Sequence, residues 1–306
     1  MARVVPWGTN QGSVVTVGTF DGVHLGHRAI LKEIKERAQR QNLKSVLVTF
    51  EPHPLEVVNP QAAPARLTVG DERTEVLAQC GLDLVAFWQF TKDLAQYQPE
   101  EFVSLLIDRY KMEELVIGHD HGFGKGRSGD EAFLRKMGGK RGFRVDVVGE
   151  VEHEGHPVSS TLIRRAVAGG DLNTAQALLG RRYSVTGTVR KGQSRGTELG
   201  FPTINVKLDD GRKLLPPDGV YAVTVERLGG IGGGMMHQGP RPTFQDTDHA
   251  VEVHLFDVNE DMYGQKVKIS WVERIRDIRQ FESGEKLRAQ LKKDKETALS
   301  ALTGGR

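Results

Sequence analysis

Up to about residue 180, apolar runs of strand length alternate with segments whose apolar positions recur at helical spacing. Strands are predicted at Val14–Val17, Ser45–Phe50, Leu82–Trp88 and Leu115–Ile117, with an extended segment at Phe143–Val151. Helices are predicted at Arg28–Arg40, Glu72–Cys80, from Pro99 onward, Asp130–Met137, Ser160–Ala168 and Leu172–Leu179. This alternation predicts a Rossmann-like α/β domain, a parallel sheet covered by helices.

After Gly180 the pattern changes to short β-type runs separated by glycine, proline and aspartate. The runs are Tyr183–Arg190, Thr203–Leu208, Val220–Leu228, Ala250–Val258 and Lys266–Val272, and Ser283–Leu302 then has the spacing of a helix. They predict a smaller antiparallel β-barrel or sandwich of about 100 residues with a C-terminal helix. We therefore expect one domain at residues 1–181 and a second at 182–306.

Composition and charge argue against several classes of protein. The 306 residues include 42 basic and 40 acidic side chains, a formal net charge of +2 that leaves no overall nucleic-acid footprint. No apolar run approaches the length of a membrane span, and the N-terminal residues lack the apolar core of a signal peptide. One cysteine excludes an internal disulfide framework. We expect a cytoplasmic protein that binds neither membrane nor nucleic acid.

The segment between the first strand and the first helix, Gly18–His27, is called the histidine turn here. His24 and His27 stand at the predicted helix start, where unpaired N–H groups and the helix dipole favour anions. Gly26 between them allows close backbone approach to a ligand. This pattern suits a triphosphate under attack, because imidazole donors can stabilise charge that grows in the transition state. The alternative is a pair of surface histidines on a glycine turn.

Other polar loops also follow strand ends, at Glu51–Pro54 and Gly118–Lys125. Ligands of open parallel sheets bind at that edge, so we expect these loops and the histidine turn to converge on one cleft. Ser160, Thr161 and Arg164 begin a later helix and are candidate phosphate contacts; ordinary capping is the alternative. Gly124–Gly129 formally matches a dinucleotide-binding motif, which keeps a dehydrogenase open as a weaker hypothesis.

In the second domain, a glycine-rich loop with Gly192, Arg195 and Gly196 is a candidate phosphate cradle. Thr203 and Asn205 are oxygen ligands two residues apart in a predicted strand, so both can face one Mg²⁺. Alternation also places Glu252 and His254 on one strand face. Glu252 is either a catalytic base or a solvated surface carboxylate.

Taken together, these motifs resemble the bacterial bifunctional riboflavin kinase/FMN adenylyltransferase family, also called FAD synthetase. The similarity extends over nearly the whole chain. It rests on Gly18–Arg28, Phe50–Pro54, Ser159–Arg164, Leu199–Asn205, Gly219–Tyr221, Arg241–Phe244, Val251–His254, Tyr263-Gly264 and the Phe281–Leu291 segment.

The resemblance implies a nucleotidylyltransferase domain that makes FAD from FMN and ATP, and a barrel that makes FMN from riboflavin with Mg²⁺ and ATP. The implied catalytic residues are His24, His27 and Glu252. Implied ATP or phosphate contacts are Gly18, Phe20, Gly26, Ser160, Thr161, Arg164, Gly192, Arg195 and Gly196. Candidate nucleotide or flavin contacts are His53, Asp120, Phe123 and Phe201, and the implied metal ligands are Thr203 and Asn205.

One departure from the family pattern motivates an alternative. The segment Met236–Gly239, which contains His237 and Gln238, stands where the family usually has an Asn-Ile-Gly run. The alternative is an FMN adenylyltransferase whose barrel is an impaired kinase that binds flavin. The sequence does not decide the oligomeric state, and a homo-oligomer is compatible with it.

Overall fold

The computed structural model describes residues 10–119, 129–191, 195–241, 246–258 and 260–304. The strands are β1 (Ser13–Val17), β2 (Lys44–Glu51), β3 (Leu84–Gln89), β4 (Met112–Gly118), β5 (Arg144–Val148), β6 (Glu152–His153), β7 (His156–Pro157), β8 (Ser184–Arg190), β9 (Ile204–Leu208), β10 (Gly219–Arg227), β11 (Gly230–Arg241), β12 (Asp246–Leu255) and β13 (Lys266–Arg276). The helices are α1 (Leu25–Gln41), α2 (Pro54–Val58), α3 (Gly70–Ala78), α4 (Pro99–Tyr110), α5 (Glu131–Arg141), α6 (Ser160–Gly169), α7 (Leu172–Leu179), α8 (Arg195–Glu198) and α9 (Gly284–Gly304).

Two compact units divide the chain. The first contains the residues up to Arg66 together with Arg73–Ser160, and the second contains Leu67–Glu72 and Thr161–Arg306. Helices α6 and α7 thus belong almost entirely to the second unit. The boundary at residues 181/182 stays a prediction.

The first unit is built on a five-stranded parallel sheet in the order β3-β2-β1-β4-β5, which confirms the predicted α/β fold. Strand β1 is buried on both faces, and its alternate residues enter different cores. Val15 and Val17 pack in the cluster that includes α4 and α5, whereas Val14 packs in the cluster that includes α1 and α3. The carboxyl ends of β1 and β2 lie side by side, so the turns that follow them share one sheet edge.

The second unit contains a closed antiparallel barrel in the order β10-β11-β12-β9-β8-β13, followed by α9. Ser283 caps the start of α9, because its Oγ accepts the backbone N–H of Lys286 at 3.2 Å. Strand β11 was not predicted, since glycines and a proline interrupt its sequence pattern. Its glycines allow α9 to pack closely against the strand. A Cβ at Gly233 would lie 2.8 Å from Leu302 Cδ1 of α9.

The second unit also holds the segment 67–72 through a buried ion pair. Lys213 Nζ donates to both carboxylate oxygens of Glu72, at 2.8 and 2.9 Å, and to the Leu67 carbonyl at 2.6 Å. The same ammonium lies 4.2 Å from the centroid of the Tyr183 ring. Among the helices of the described residues, none is long and apolar enough to cross a membrane.

Candidate active sites

The histidine turn begins at the carboxyl end of β1 and ends inside the first turn of α1. His24 is the N-cap residue, and its Nδ1 accepts the backbone N–H of His27 at 3.3 Å. In the neutral ring the hydrogen is then on Nε2, which makes Nε2 a donor. The His24 and His27 rings stack with centroids 3.6 Å apart. The prediction that both histidines lie at the helix start is confirmed.

Two glycines leave room for the aromatic rings of the histidine turn, because neither has a Cβ. A Cβ at Gly26 would lie 3.2 Å from the His24 ring, and a Cβ at Gly18 would lie 2.9 Å from the Phe20 ring. Phe20 in turn lies 4.7 Å from the His27 ring, centroid to centroid. These predicted contact residues therefore shape the histidine pair directly.

The backbone of the histidine turn is strained. Phe20 has φ +46° and Val23 has φ +42°, a region that residues with a side chain rarely adopt and that is least favourable for β-branched ones. Each such residue costs on the order of 1–3 kcal/mol, so surrounding contacts must hold it. Strain of this kind is typical of functional sites.

Ser160 at the start of α6 contacts the same turn. Its Oγ donates to the Asp21 carbonyl at 2.9 Å, which uses the only hydrogen of the hydroxyl. In this conformation Ser160 therefore holds the turn rather than offering a donor to phosphate. Thr161 and Arg164 follow in α6 within the second unit, and their phosphate contacts stay predictions.

His53 follows β2 in the neighbouring turn. It is buried and caps the short helix α2, with Nδ1 accepting the Leu55 N–H at 3.1 Å. Asp120 and Phe123, the other first-domain candidates for nucleotide or flavin contact, lie outside the described residues. The Gly124–Gly129 motif lies outside them too, except for Gly129.

Two buried arginines contact the histidine turn, and neither was predicted as a site residue. Arg66 contacts Asp21 Oδ1 at 3.7 Å and Glu56 Oε1 at 3.0 Å. Arg73 donates to the Phe50 carbonyl at 2.9 Å and to Glu51 Oε2 at 3.2 Å. Burial, and then the charge of Arg66, lowers the pKa of Arg73 to about 10, so the guanidinium stays protonated at neutral pH.

In the barrel, the pairing of neighbouring strands places candidate kinase residues side by side. Glu252 on β12 lies directly opposite Asn205 on β9 and opposite His237 on β11. Directly opposite residues of antiparallel strands share one face, so the three side chains form one row. Thr203 was predicted in the same strand as Asn205, but β9 begins at Ile204, so Thr203 immediately precedes the strand.

Helix α8 lies close to the segment that leads to β9. A Cβ at Gly196 would lie 2.3 Å from the Phe201 carbonyl oxygen and 3.3 Å from Thr203 Oγ1. Phe201 is buried in the cluster that joins the barrel to α9. Gly192 lies outside the described residues, and so does the side chain of Arg195.

The two residues that depart from the family pattern, His237 and Gln238, lie on different faces of β11. Gln238 is fully buried, and its Nε2 donates to the Pro216 carbonyl at 2.6 Å. His237 lies beside Glu252, and its Nε2 is 3.0 Å from the Pro240 carbonyl oxygen and 3.2 Å from that of Gly239. Only His237 is therefore in the row of candidate kinase residues.

Two family models match this chain, one described as FAD synthetase over residues 8–162 and one described as riboflavin kinase over residues 179–302. The bifunctional riboflavin kinase/FMN adenylyltransferase of Escherichia coli strain K12 is 39% identical over 290 residues, which cover 94% of this chain and 92% of that protein. The chain belongs to the bifunctional riboflavin kinase/FMN adenylyltransferase family. It is accordingly an enzyme of flavin cofactor synthesis with kinase and adenylyltransferase activities.

Other proteins are similar to this chain over nearly the same extent. The relative of that name in Bacillus subtilis strain 168 is 34% identical over 292 residues, covering 94% of this chain and 92% of its own. A crystal structure from Streptococcus pneumoniae, described as a macrolide-efflux protein, matches with a TM-score of 0.85 and 33% identity, covering 95% of each chain.

The family motifs do not include two arginines that contact the histidine turn. Arg66 and Arg73 are each isolated in the sequence, and their importance comes from contacts with residues distant in the sequence. Local pattern carries a signal for Arg73 alone, a charged side chain at helical spacing from Val76 and Leu77 on the buried face of its helix. Among the described residues, no group of three or more His, Cys, Asp or Glu side chains is placed to hold a metal ion.

Proposed function

We propose that the two activities are divided between the two units, with FMN adenylylation at the histidine turn and riboflavin phosphorylation at Glu252. The main support is that the two sets of chemical groups lie in separate units. The stacked imidazoles lie at the start of a helix of the first unit, and the Glu252–Asn205 pair is on the barrel of the second.

In the adenylylation, a phosphate oxygen of FMN attacks the α-phosphorus of ATP, and the bond to the β-phosphate oxygen breaks. Pyrophosphate leaves, and no covalent enzyme intermediate forms. Negative charge grows on the phosphate oxygens as the bonds exchange. His24, His27 and the N–H groups at the start of α1 stabilise that charge by donating hydrogen bonds.

The remaining first-domain assignments concern binding. Thr161 and Arg164 hold the outgoing phosphates, with Ser160 fixing the start of their helix. Gly18, Phe20 and Gly26 shape the space around the histidines. His53, Asp120 and Phe123 contact the nucleotide or the flavin.

In the kinase reaction, the ribityl 5′-hydroxyl of riboflavin attacks the γ-phosphorus of ATP and ADP leaves. Glu252 accepts the hydroxyl proton as the new bond forms. The loop containing Gly192, Arg195 and Gly196 holds the ATP phosphates, and Phe201 contacts the nucleotide or the flavin. Positioning and charge neutralisation supply most of the catalysis in reactions of this type.

Enzymes that use ATP in this way generally need a divalent cation, and we propose Mg²⁺. Thr203 and Asn205 would hold it, and their hydroxyl and amide oxygens are the hard donors that this ion prefers. When bound, the ion neutralises phosphate charge. Because both reactions consume ATP, we also propose that the enzyme works in the cytoplasm.

Two variants test the assignment of the two reactions to separate sites. His27→Ala should lower the rate of FAD formation from FMN by about 10²–10³, the usual effect of losing one donor to the transition state. Its rate of FMN formation from riboflavin should be unchanged. Glu252→Gln should abolish FMN formation and leave FAD formation from added FMN intact.

Matched controls are available in each unit. His156 and Glu226 are exposed, so His156→Ala and Glu226→Gln should keep both activities. If a folded His27→Ala or Glu252→Gln enzyme loses both activities, the assignment of two separate sites is wrong.

A further inference from the structure

Arg73 on α3 is a buried arginine that contacts the histidine turn. It is 1% exposed, and its guanidinium contacts the ends of two neighbouring strands. Nη1 donates to the Phe50 carbonyl and to Glu51 at the end of β2. Nη2 donates to the Thr49 hydroxyl and to the Thr19 carbonyl, which belongs to the histidine turn. One side chain thus bridges the turn after β1 and the turn after β2.

Thr49 extends this bridge to the start of the histidine turn. Its Oγ1 donates to the Gly18 carbonyl at 2.7 Å. The carbonyls of Gly18 and Thr19 are therefore both held by the Arg73–Thr49 pair. The strained residues Phe20 and Val23 follow at once, and the two histidines come after them.

Only a guanidinium can form all of these hydrogen bonds at once. The planar group sends hydrogen bonds to four oxygens in different directions, and it lies 5.4 Å from the centroid of the Phe87 ring. A lysine ammonium has three donors and no plane, so it can keep the charge but not the bridge.

We infer that Arg73 is a positioning residue for FMN adenylylation, because its guanidinium holds the histidine turn at a fixed distance from the turn that carries His53. This inference rests on the proposed role of the histidine turn. Arg73 touches neither substrate nor reacting atoms; it acts through the backbone carbonyls that precede Phe20. Charge developing on the phosphates therefore meets imidazoles that are already in place.

The test measures both activities of the full-length enzyme for Arg73→Lys, Arg73→Met and the exposed control Arg40→Lys. Arg73→Lys should lower kcat for FAD formation about tenfold or more, while KM for FMN and for ATP changes less than about threefold, since the loss falls on the transition state. The kinase kcat should stay at the wild-type value in all three. Arg40→Lys should keep both activities.

A double variant separates positioning from a general structural role. If Arg73 acts through the histidine turn, adding Arg73→Lys to His27→Ala should lower kcat little beyond His27→Ala alone. Additive losses, or an Arg73→Lys enzyme with wild-type adenylylation, would overturn the inference. Arg73→Lys keeps the charge and volume, so it carries the test even where Arg73→Met does not fold. Wild-type adenylylation in His27→Ala would instead refute the proposed function itself.

Discussion

At the scale of single residues, His254 on β12 contacts the loop that precedes β9. Its Nδ1 lies 2.8 Å from the Pro202 carbonyl oxygen, which can only accept, so Nδ1 carries the hydrogen. The ring also meets Phe201 edge to face, with centroids 5.3 Å apart. Burial, together with the nearby charge of Lys295, lowers the pKa of His254 below its ordinary value of 6.5. The folded barrel therefore favours the neutral imidazole.

This lowered pKa predicts a loss of stability in acid. The unfolded chain binds a proton at His254 more readily than the folded chain, so this contribution is complete above pH 6.5 and declines as the pH falls below that value. We expect the unfolding temperature of His254→Gln to fall less between pH 7.5 and pH 5.5 than that of the wild type. His156→Gln, at an exposed position, should keep the wild-type pH dependence. Equal losses in wild type and His254→Gln would show that the imidazole is not held neutral.

At the scale of elements, the junction between α8 and β9 depends on one close contact. The backbone of Gly196 approaches the Phe201 carbonyl so closely that a Cβ would lie 2.3 Å from the oxygen. The Phe201 N–H also donates to the Gly196 carbonyl at 2.8 Å. This contact closes the loop that leads to Thr203 and Asn205.

Gly196→Ala should therefore lower the kinase rate and spare adenylylation. The added methyl group forces the loop to shift, and a misplacement of about 1 Å near a site can reduce the rate on the order of 10²-fold. Gly211→Ala is the matched control, because no atom lies within 4 Å of the position that its Cβ would occupy. Both variants are compared for FMN formation and for FAD formation from added FMN. A normal kinase rate in Gly196→Ala would mean that this loop does not position the site.

The same elements show how far local sequence determines the fold. Helix α7 begins and ends where predicted, at Leu172 and Leu179, since a capping aspartate and a terminal glycine mark its ends. Strand β11 escaped prediction because its glycines give no alternating pattern. Its place is determined by pairing with β10 and β12 and by the approach of α9.

The sites follow the same rule. The histidine turn and the Glu252 face were predictable because their residues are close in sequence or alternate along one strand. The contacts of Arg73 and the carbonyl contact of His254 each join residues distant in sequence. Single-sequence periodicity carries no information about such pairs, and only the tertiary packing reveals them.

At the scale of the whole molecule, the chain combines two reactions in which the product of one is the substrate of the other. The kinase releases FMN, and the adenylyltransferase consumes it. The histidine turn lies in the first compact unit, and the Glu252 row lies in the second. A single chain with two independent sites should convert riboflavin to FAD through FMN as an intermediate.

The most direct measurement is a time course of flavins separated by chromatography after the purified enzyme is mixed with riboflavin, ATP and Mg²⁺. The account predicts that FMN appears first and that FAD follows after a lag. FAD from added FMN, with no product from riboflavin, would contradict the assignment of the barrel as a working kinase and would point to His237. FMN without FAD would contradict the assignment of the histidine turn.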